Sequence, residues 1–417
     1  MSSASWPPVR VGTAMVVCAA SLLVTCGPAV ADGPHGIDDA RSVGSGPATG
    51  SRLHQPGVQF LPRSGVPGPP DVTALSWAVT DARSGRILAA KDAHRRLPPA
   101  STLKTLFALT VLPKFPQRAA HTVTDADLAG ILPGSALVGI KEDVRYSVAD
   151  LWRGVFLSSG SDAVRTLATM NGGWDKTVAD MGAMARRLGA NDTTVRSADG
   201  FDSEGQFSSA FDLSVFGRAG LANPDFARLA STKTAKFPEA GGERAFGIQN
   251  TNRLLVGSHG VVPYPGLIGV KNGYTTNAGN TLVAAAERDG RTLLVTVMNP
   301  QTGSENAVYE ETRALLDWGF AAAPRAAGVG TLPETAPVEP QLDTDGAVRD
   351  SQHAALLNEK AEHADAAPGM ALAGERDTQR RTLYVWALSV AGASALAGVG
   401  LWWRRRKQRN APPAPPI

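Results

Sequence analysis

Ser101 and Lys104 stand three residues apart in the stretch Leu97-Pro-Pro-Ala-Ser-Thr-Leu-Lys-Thr-Leu-Phe-Ala-Leu. The proline pair cannot continue a helix, and Thr102 to Leu112 reads as a buried helical run, so Ser101 falls at a loop-to-helix junction. Residues three apart share one face of a helix, which puts the Lys104 amine beside the Ser101 hydroxyl. A serine alcohol is a weak nucleophile at neutral pH and needs a base within hydrogen-bonding reach. Lysine can be that base only if burial or a neighbouring cation lowers its pKa. The unpaired N–H groups of a helix start also lie where an oxyanion would form. The pair spells acyl transfer, although a capping serine followed by a solvated lysine has the same spelling.

Two further groups extend the pattern, about 58 and about 112 residues further on in turn. Ser159-Gly160-Ser161-Asp162 separates two helical runs, and a loop of small residues there can aim a hydroxyl into a cleft. Lys271-Asn272-Gly273-Tyr274-Thr275 ends the apolar run Leu267-Ile-Gly-Val. A cation fixed at that point could bind a substrate carboxylate and help lower the pKa of Lys104. Gly273 would let a substrate backbone approach an edge strand.

The elements that must hold these groups follow from the periodicities. Leu75 to Thr80 and Arg86 to Ala90 read as a hairpin around Asp81-Ala-Arg-Ser-Gly85. Helices are predicted over Thr102 to Leu112, Val148 to Leu157, Asp162 to Met170, Trp174 to Leu188 and Ala210 to Ala219. Strands follow over Leu267 to Lys271, Thr281 to Arg288 and Thr292 to Met298, then a closing helix from Glu305 to Trp318. Strands, then helices, then strands predict an α+β fold: one antiparallel sheet drawn from both chain ends, with a helical region inserted.

Composition divides the 417 residues further. Residues 1–31 carry Arg10, the apolar run Val11 to Thr25 and Ala29-Val30-Ala31, the pattern of a cleaved secretory signal. A lipoprotein signal around Leu23-Val24-Thr25-Cys26 is the rival reading. Cys18 and Cys26 are the only cysteines, so a mature chain would lack disulfides and thiol chemistry. Residues 32–70, rich in Gly, Pro and Ser, read as a tether, 71–322 as the folded domain, and 323–382 as an Ala/Pro/Glu-rich stalk. Leu383 to Trp403 is uncharged and long enough, at 1.5 Å per residue, to span roughly 30 Å of hydrocarbon. Arg404-Arg405-Arg406-Lys407 follows and places residues 404–417 in the cytoplasm, with everything before Leu383 outside. That basic run is read as a stop-transfer signal rather than as a nucleic-acid contact. A net charge of +3 agrees.

The three groups together resemble the serine–lysine motifs of penicillin-binding proteins and serine β-lactamases. Other segments narrow the resemblance to the D-alanyl-D-alanine carboxypeptidases, the low-molecular-mass penicillin-binding proteins. These are Pro99-Ala-Ser-Thr-Leu-Lys104, Ala198-Asp-Gly-Phe-Asp202, Phe207-Ser-Ser-Ala-Phe-Asp-Leu213, Asn250-Thr-Asn-Arg-Leu-Leu255, Gly269 to Thr275 and Leu315 to Phe320. The resemblance covers about residues 71–322 and implies a β-lactamase/DD-peptidase-like fold. It implies Ser101 as nucleophile, Lys104 as its base and Ser159 as proton relay. Lys271, with Ser161, Asn272, Gly273 and Thr275, would hold a peptidoglycan stem peptide ending in D-Ala-D-Ala. The Ser101 N–H and one from the strand just after Gly273 would form the oxyanion hole. β-Lactams would acylate the same serine. Neither cofactor nor metal is expected, and His94, His121 and His259 are too scattered to suggest one.

Two positions depart from the family pattern. Ser161 stands where the family has asparagine, and Asn272 where it has threonine. They bear on rate and leave the nucleophile and both lysines in place. Two other readings stay open: a catalytically weak module that binds stem peptides or penicillin, and a serine β-lactamase. The second lacks a Glu-x-x-x-Asn between Ser161 and Lys271.

Overall fold

A computed structural model describes residues 51–239 and 244–334. The chain enters through a short strand, β1 (Val58–Phe60), and then forms the expected hairpin of β2 (Ser76–Asp81) and β3 (Arg86–Lys91). A 3-10 turn over Ala100–Leu103 leads into α1 (Lys104–Val111). The inserted region holds β4 (Ala120–Thr122), α2 (Asp125–Leu128), β5 (Arg145–Ser147), α3 (Val148–Leu157), α4 (Ser161–Met170) and α5 (Trp174–Arg187). It continues through α6 (Ala210–Leu221), α7 (Pro224–Ser231), the hairpin β6 (Thr234–Pro238) and β7 (Ala245–Gln249), and α8 (Arg253–Val256). Then come β8 (Leu267–Thr275), β9 (Gly279–Arg288), β10 (Arg291–Met298), α9 (Ala307–Ala322) and a last short strand, β11 (Gly330–Thr331).

The main sheet is antiparallel, in the order β1-β3-β2-β10-β9-β8, with β11 beside β1 on the outer edge of β3. Strands from the two halves of the chain meet where β2 pairs with β10, Val79 opposite Val295. This is the α+β architecture expected from the element order. Alternating strand residues feed two cores. Val283, Ala285 and Leu294 face α1, α3, α4 and α6, while Leu282, Ala284, Val295 and Val297 face α9. Gly217 lets α6 sit on the sheet, because a Cβ there would stand 2.9 Å from Val283 and 3.1 Å from Leu294.

The folded body is larger than the predicted 71–322. Part of the supposed tether forms β1 and pairs with β3, with Val58 opposite Lys91. Part of the supposed stalk forms β11, with Ala323, Ala326, Val329 and Leu332 buried. Composition hid both segments, because two or three residues paired to an existing edge need no run of alternating apolar residues. The 3-10 turn trims the predicted first helix, and β8 runs past Lys271 to Thr275. Residues 1–50 and 335–417 lie outside the described residues, and with them the predicted signal, most of the stalk, Leu383 to Trp403 and the basic tail. Among the described residues no helix is long and apolar enough to cross a membrane.

Glu311 of α9 clamps the entrance to the sheet. Its buried carboxylate accepts the Thr73 and Ala74 N–H groups at 2.9 and 3.0 Å, and the Thr73 hydroxyl besides. Removing it strands two backbone donors under α9. Glu311→Ala is expected to cost about 2 kcal/mol, seen as a fall in Tm of roughly 4–8 °C. A Tm indistinguishable from the parent's would show that the carboxylate does not anchor this corner.

Candidate active site

The nucleophile turn is wedged between two glycines. Ala100, just before Ser101, has φ +49°, a left-handed value that costs a side-chain-bearing residue on the order of 1–2 kcal/mol. Gly200, at φ +82°, presses on it from one side, where a Cβ would sit 2.0 Å from the Ala100 carbonyl oxygen. Gly273 of β8 presses from the other, with its Cβ position 2.6 Å from the Ser101 nitrogen. No other residue type fits at either place. Thr281 of β9 completes the seat by donating its hydroxyl to the Pro99 carbonyl at 3.0 Å.

Lys104 is the first residue of α1 and is only 2% exposed. A 2.9 Å hydrogen bond joins its Nζ to Ser101 Oγ, and a 2.6 Å bond runs from Nζ to the Asp199 carbonyl. Burial drives its pKa down from 10.5 to about 8, although the charges of Asp199 and Asp162 pull it back up. Burial raises the Asp199 carboxyl too, but the Lys104 charge, the Ser197 hydroxyl, the Phe201 N–H and the Ser161 hydroxyl outweigh it and hold that group below the usual range.

Ser159 and Ser161 stand on either side of Gly160, where the turn after α3 leads into α4, whose first residue is Ser161. Ser159 also has a left-handed φ, +56°, and its buried Oγ has no hydrogen-bond partner. An orphaned hydroxyl held in a strained turn is a group kept ready for something not yet present. Asp162 fixes the turn against the loop above it by accepting the N–H groups of Val138, Gly139 and Ile140 at 3.0, 2.7 and 3.0 Å. Ser161 N–H donates to the Ala136 carbonyl at 2.7 Å.

Lys271 lies on β8, the edge strand, with its Nζ buried and donating to the Asn272 carbonyl at 3.0 Å. Burial, and then the Lys104 charge, hold its pKa well below the ordinary lysine value. The sequence led us to expect Lys271 to lower Lys104. In the structure burial is the main cause that lowers Lys104, and the repulsion between the two ammonium groups adds to it at Lys271. Asn272 turns to the other face of the strand, where its amide bonds Thr251 Oγ1 at 3.0 Å and the Tyr309 hydroxyl at 3.4 Å. A cleft of about 800 Å³ opens there, walled by Thr251, Arg253, Asn272, Gly273, Tyr274 and Tyr309. Ser101 is not among its walls, and Gly273 is what joins the two. Thr275 is drawn away from this cluster, because its hydroxyl donates to Asp202 at 2.7 Å and ties the end of β8 to the loop after Gly200.

Ser101, Lys104, Ser161, Lys271 and Gly273 therefore converge, with Asn272 behind the strand and Thr275 at its tip, while Ser159 stands two residues before Ser161 on the turn that opens α4. Asp199, Gly200 and Asp162 were not singled out from sequence as parts of the site. Asp199-Gly200 follows no helix or strand pattern, and Asp162 reads as an ordinary acidic residue in a first helical turn. An activatable hydroxyl, a buried amine and an unpaired strand edge can together hold an extended peptide and take up its acyl group.

Comparison with known proteins agrees with that chemistry. The chain is 40% identical over 266 residues to the D-alanyl-D-alanine carboxypeptidase DacB2 of Mycobacterium tuberculosis, covering 63% of this chain and 87% of that protein. It is 34% identical over 268 residues to DacD of Escherichia coli, covering 61% of this chain and 64% of the relative's length. The crystal structure of a D-alanyl-D-alanine carboxypeptidase from Mycobacterium tuberculosis H37Rv superposes with a TM-score of 0.59 at 38% identity, over 65% of this chain and 100% of that one. Residues 64–302 match the D-alanyl-D-alanine carboxypeptidase family, peptidase S11, and the chain belongs to it.

Proposed function

We propose that the protein is a serine D-Ala-D-Ala carboxypeptidase that trims peptidoglycan stem peptides and is acylated by β-lactams. One observation carries the reading: Ser101 is hydrogen-bonded to a lysine whose burial lets it give up its proton near neutrality. Neutral Lys104 takes the hydroxyl proton as Ser101 Oγ attacks the penultimate D-alanine carbonyl. The Ser101 N–H and an N–H of β8 hold the oxyanion. Loss of one such donor typically raises a barrier by roughly 2.7–4 kcal/mol. Ser159, whose hydroxyl has no protein partner, relays that proton from Lys104 to the leaving amine, and D-alanine departs with Lys104 neutral again. Water then hydrolyses the ester at Ser101 and regenerates the enzyme.

The substrate carboxylate binds near Lys271 and Asn272. Burial holds the pKa of Lys271 below the ordinary lysine value, and a carboxylate beside it would favour the charged form. Ser161 serves the site through Asp199, where it helps hold the carboxylate that offsets the Lys104 charge. A serine in place of asparagine keeps that support while shortening any reach toward substrate. A signal in residues 1–31 and a membrane anchor over Leu383 to Trp403 complete the proposal, with the catalytic domain outside the cell and the basic tail inside.

Two measurements test it. With a stem peptide ending in D-Ala-D-Ala, the protein is expected to release D-alanine steadily and to be labelled by fluorescent penicillin, and Ser101→Ala to do neither. Labelling that survives in Ser101→Ala would remove the nucleophile assignment, and labelling without release would leave only a binding module. The second measurement is pH dependence. A protonated Nζ cannot accept a proton, and with a pKa of about 8 only about a tenth of Lys104 is neutral at pH 7. The acylation rate is expected to rise about tenfold per pH unit below that pKa and to level off above it. A flat or falling profile over the same range would contradict the role of Lys104 as base.

A further inference from the structure

The sheet has two ends, and the catalytic cleft uses one of them. Ser101 packs where β9 begins, beside Gly273 and Thr281. At the far end of β9, roughly 23 Å along the strand, the protein gathers arginines. Arg83 stands on the β2–β3 turn and Arg86 opens β3. Arg63 follows β1, Arg218 reaches in from α6, and Arg325 follows α9. The side-chain bonds holding this cluster go to backbone carbonyls. Arg218 donates Nε to Ala82, Nη1 to Pro333 and Nη2 to Arg83, at 2.9, 2.9 and 3.1 Å. Arg86 Nη2 donates to Ala323 at 3.3 Å. Among the described residues none of the five arginines has a carboxylate partner.

Arg63, Arg86 and Arg325 wall an open groove of about 740 Å³ whose other walls are Ser64 and the chain from Pro324 to Gly328, with no acidic residue among them. Arg86 Nε is buried there without a hydrogen-bond partner. The nearby carboxylate of Asp81 is already taken, by Arg291 at 2.7 Å and by Ser84. Glu287 and Asp289 sit at the β9–β10 end of the sheet, with β2 and β10 between them and the groove. Five like charges held on one end of a fold repel one another and create a field that an anionic partner relieves. Guanidinium groups also pair with phosphate oxygens in a two-pronged geometry.

The chain leaves the body at this same end. Pro333 is held by Arg218, and the residues after it lead to the apolar segment Leu383 to Trp403. We propose that the arginine end is a docking face for the anionic phospholipid headgroups of a bilayer, which turns the catalytic cleft, at the opposite end of the sheet, away from the membrane. A stalk over residues 335–382, as composition suggests, would only hold the domain near the bilayer; docking would orient it. The surface potential of anionic lipid acts only within about a Debye length, so the arginines contribute when the domain lies down on the bilayer and not when it stands off.

Energy transfer to headgroup-labelled vesicles tests this with the full chain, in a Cys18→Ser, Cys26→Ser background. A dye is placed either on Ser84→Cys, at the arginine end, or on Thr276→Cys, at the exposed turn beside the cleft. With vesicles containing phosphatidylglycerol, transfer is expected to be strong from position 84 and weak from position 276. It should be lost in phosphatidylcholine vesicles, in about 0.5 M salt, and in the variant Arg63→Gln, Arg83→Gln, Arg325→Gln. Each exposed arginine is expected to change the docked population about fivefold, so the triple variant should lose about a hundredfold. Penicillin labelling of that variant confirms that it folds. Equal transfer from the two positions, or transfer unchanged by lipid charge, overturns the proposal. So does transfer that survives in the triple variant. Failure of the chain to remain in washed vesicles would count against the membrane anchor alone, because salt-sensitive recruitment to anionic vesicles still reports the docking face.

Discussion

An ammonium group stripped of water beside a serine hydroxyl is the interaction on which the rest of this structure depends. Left in solvent, Lys104 would stay protonated and useless as a base. Buried to 2% exposure at the start of α1, it gives up its proton near pH 8. Two carboxylates, Asp199 and Asp162, oppose that loss without reversing it, and each is also fixed by other bonds. Asp162 holds three backbone N–H groups of the overhanging loop, and Asp199 is bound by Ser197 and Phe201. The same two residues thus set the charge balance and position the walls. A change at either should disturb geometry and pKa together.

The second requirement is close approach. Reaction needs an unpaired strand edge within reach of the nucleophile, and the antiparallel order leaves β8 at that edge. Gly200 and Gly273 allow the turn at Ala100 and Ser101 to sit between the Asp199 loop and β8, with a strained φ maintained by packing on both sides. Strain is sustained here because the neighbours over-determine it. The bonds of Asn272 to Thr251 and Tyr309 show how a residue atypical for its position is still built into the strand's other face. The catalytic pair and the two flanking glycines come from three different parts of the chain, brought together by the pairing of early and late strands.

Much of this arrangement was legible in the sequence, for identifiable reasons. Local spacing revealed Ser101 and Lys104, because three residues make nearly one helical turn. Apolar runs gave the β2–β3 hairpin, β9, β10 and α9 to within a few residues. Edges and interactions at a distance were hidden. β1 and β11 are too short to show a period and exist because β3 offers an open side. The Asp199–Gly200 contact with the nucleophile turn joins residues about a hundred positions apart. The proximity of the two lysine charges was expected, whereas the burial that lowers both of them could not be read from residue type. Lys271 was placed from sequence at the end of an apolar run, which does not disclose that it is as buried as Lys104.

The most direct measurement is an NMR titration of the Lys104 side chain in the folded protein, with lysine isotopically labelled and the resonance assigned by its loss in Lys104→Arg. The account predicts a midpoint near pH 8 for Lys104. A midpoint near the ordinary value of 10.5 would mean that the amine stays charged through the working range. It could not then serve as the base for Ser101.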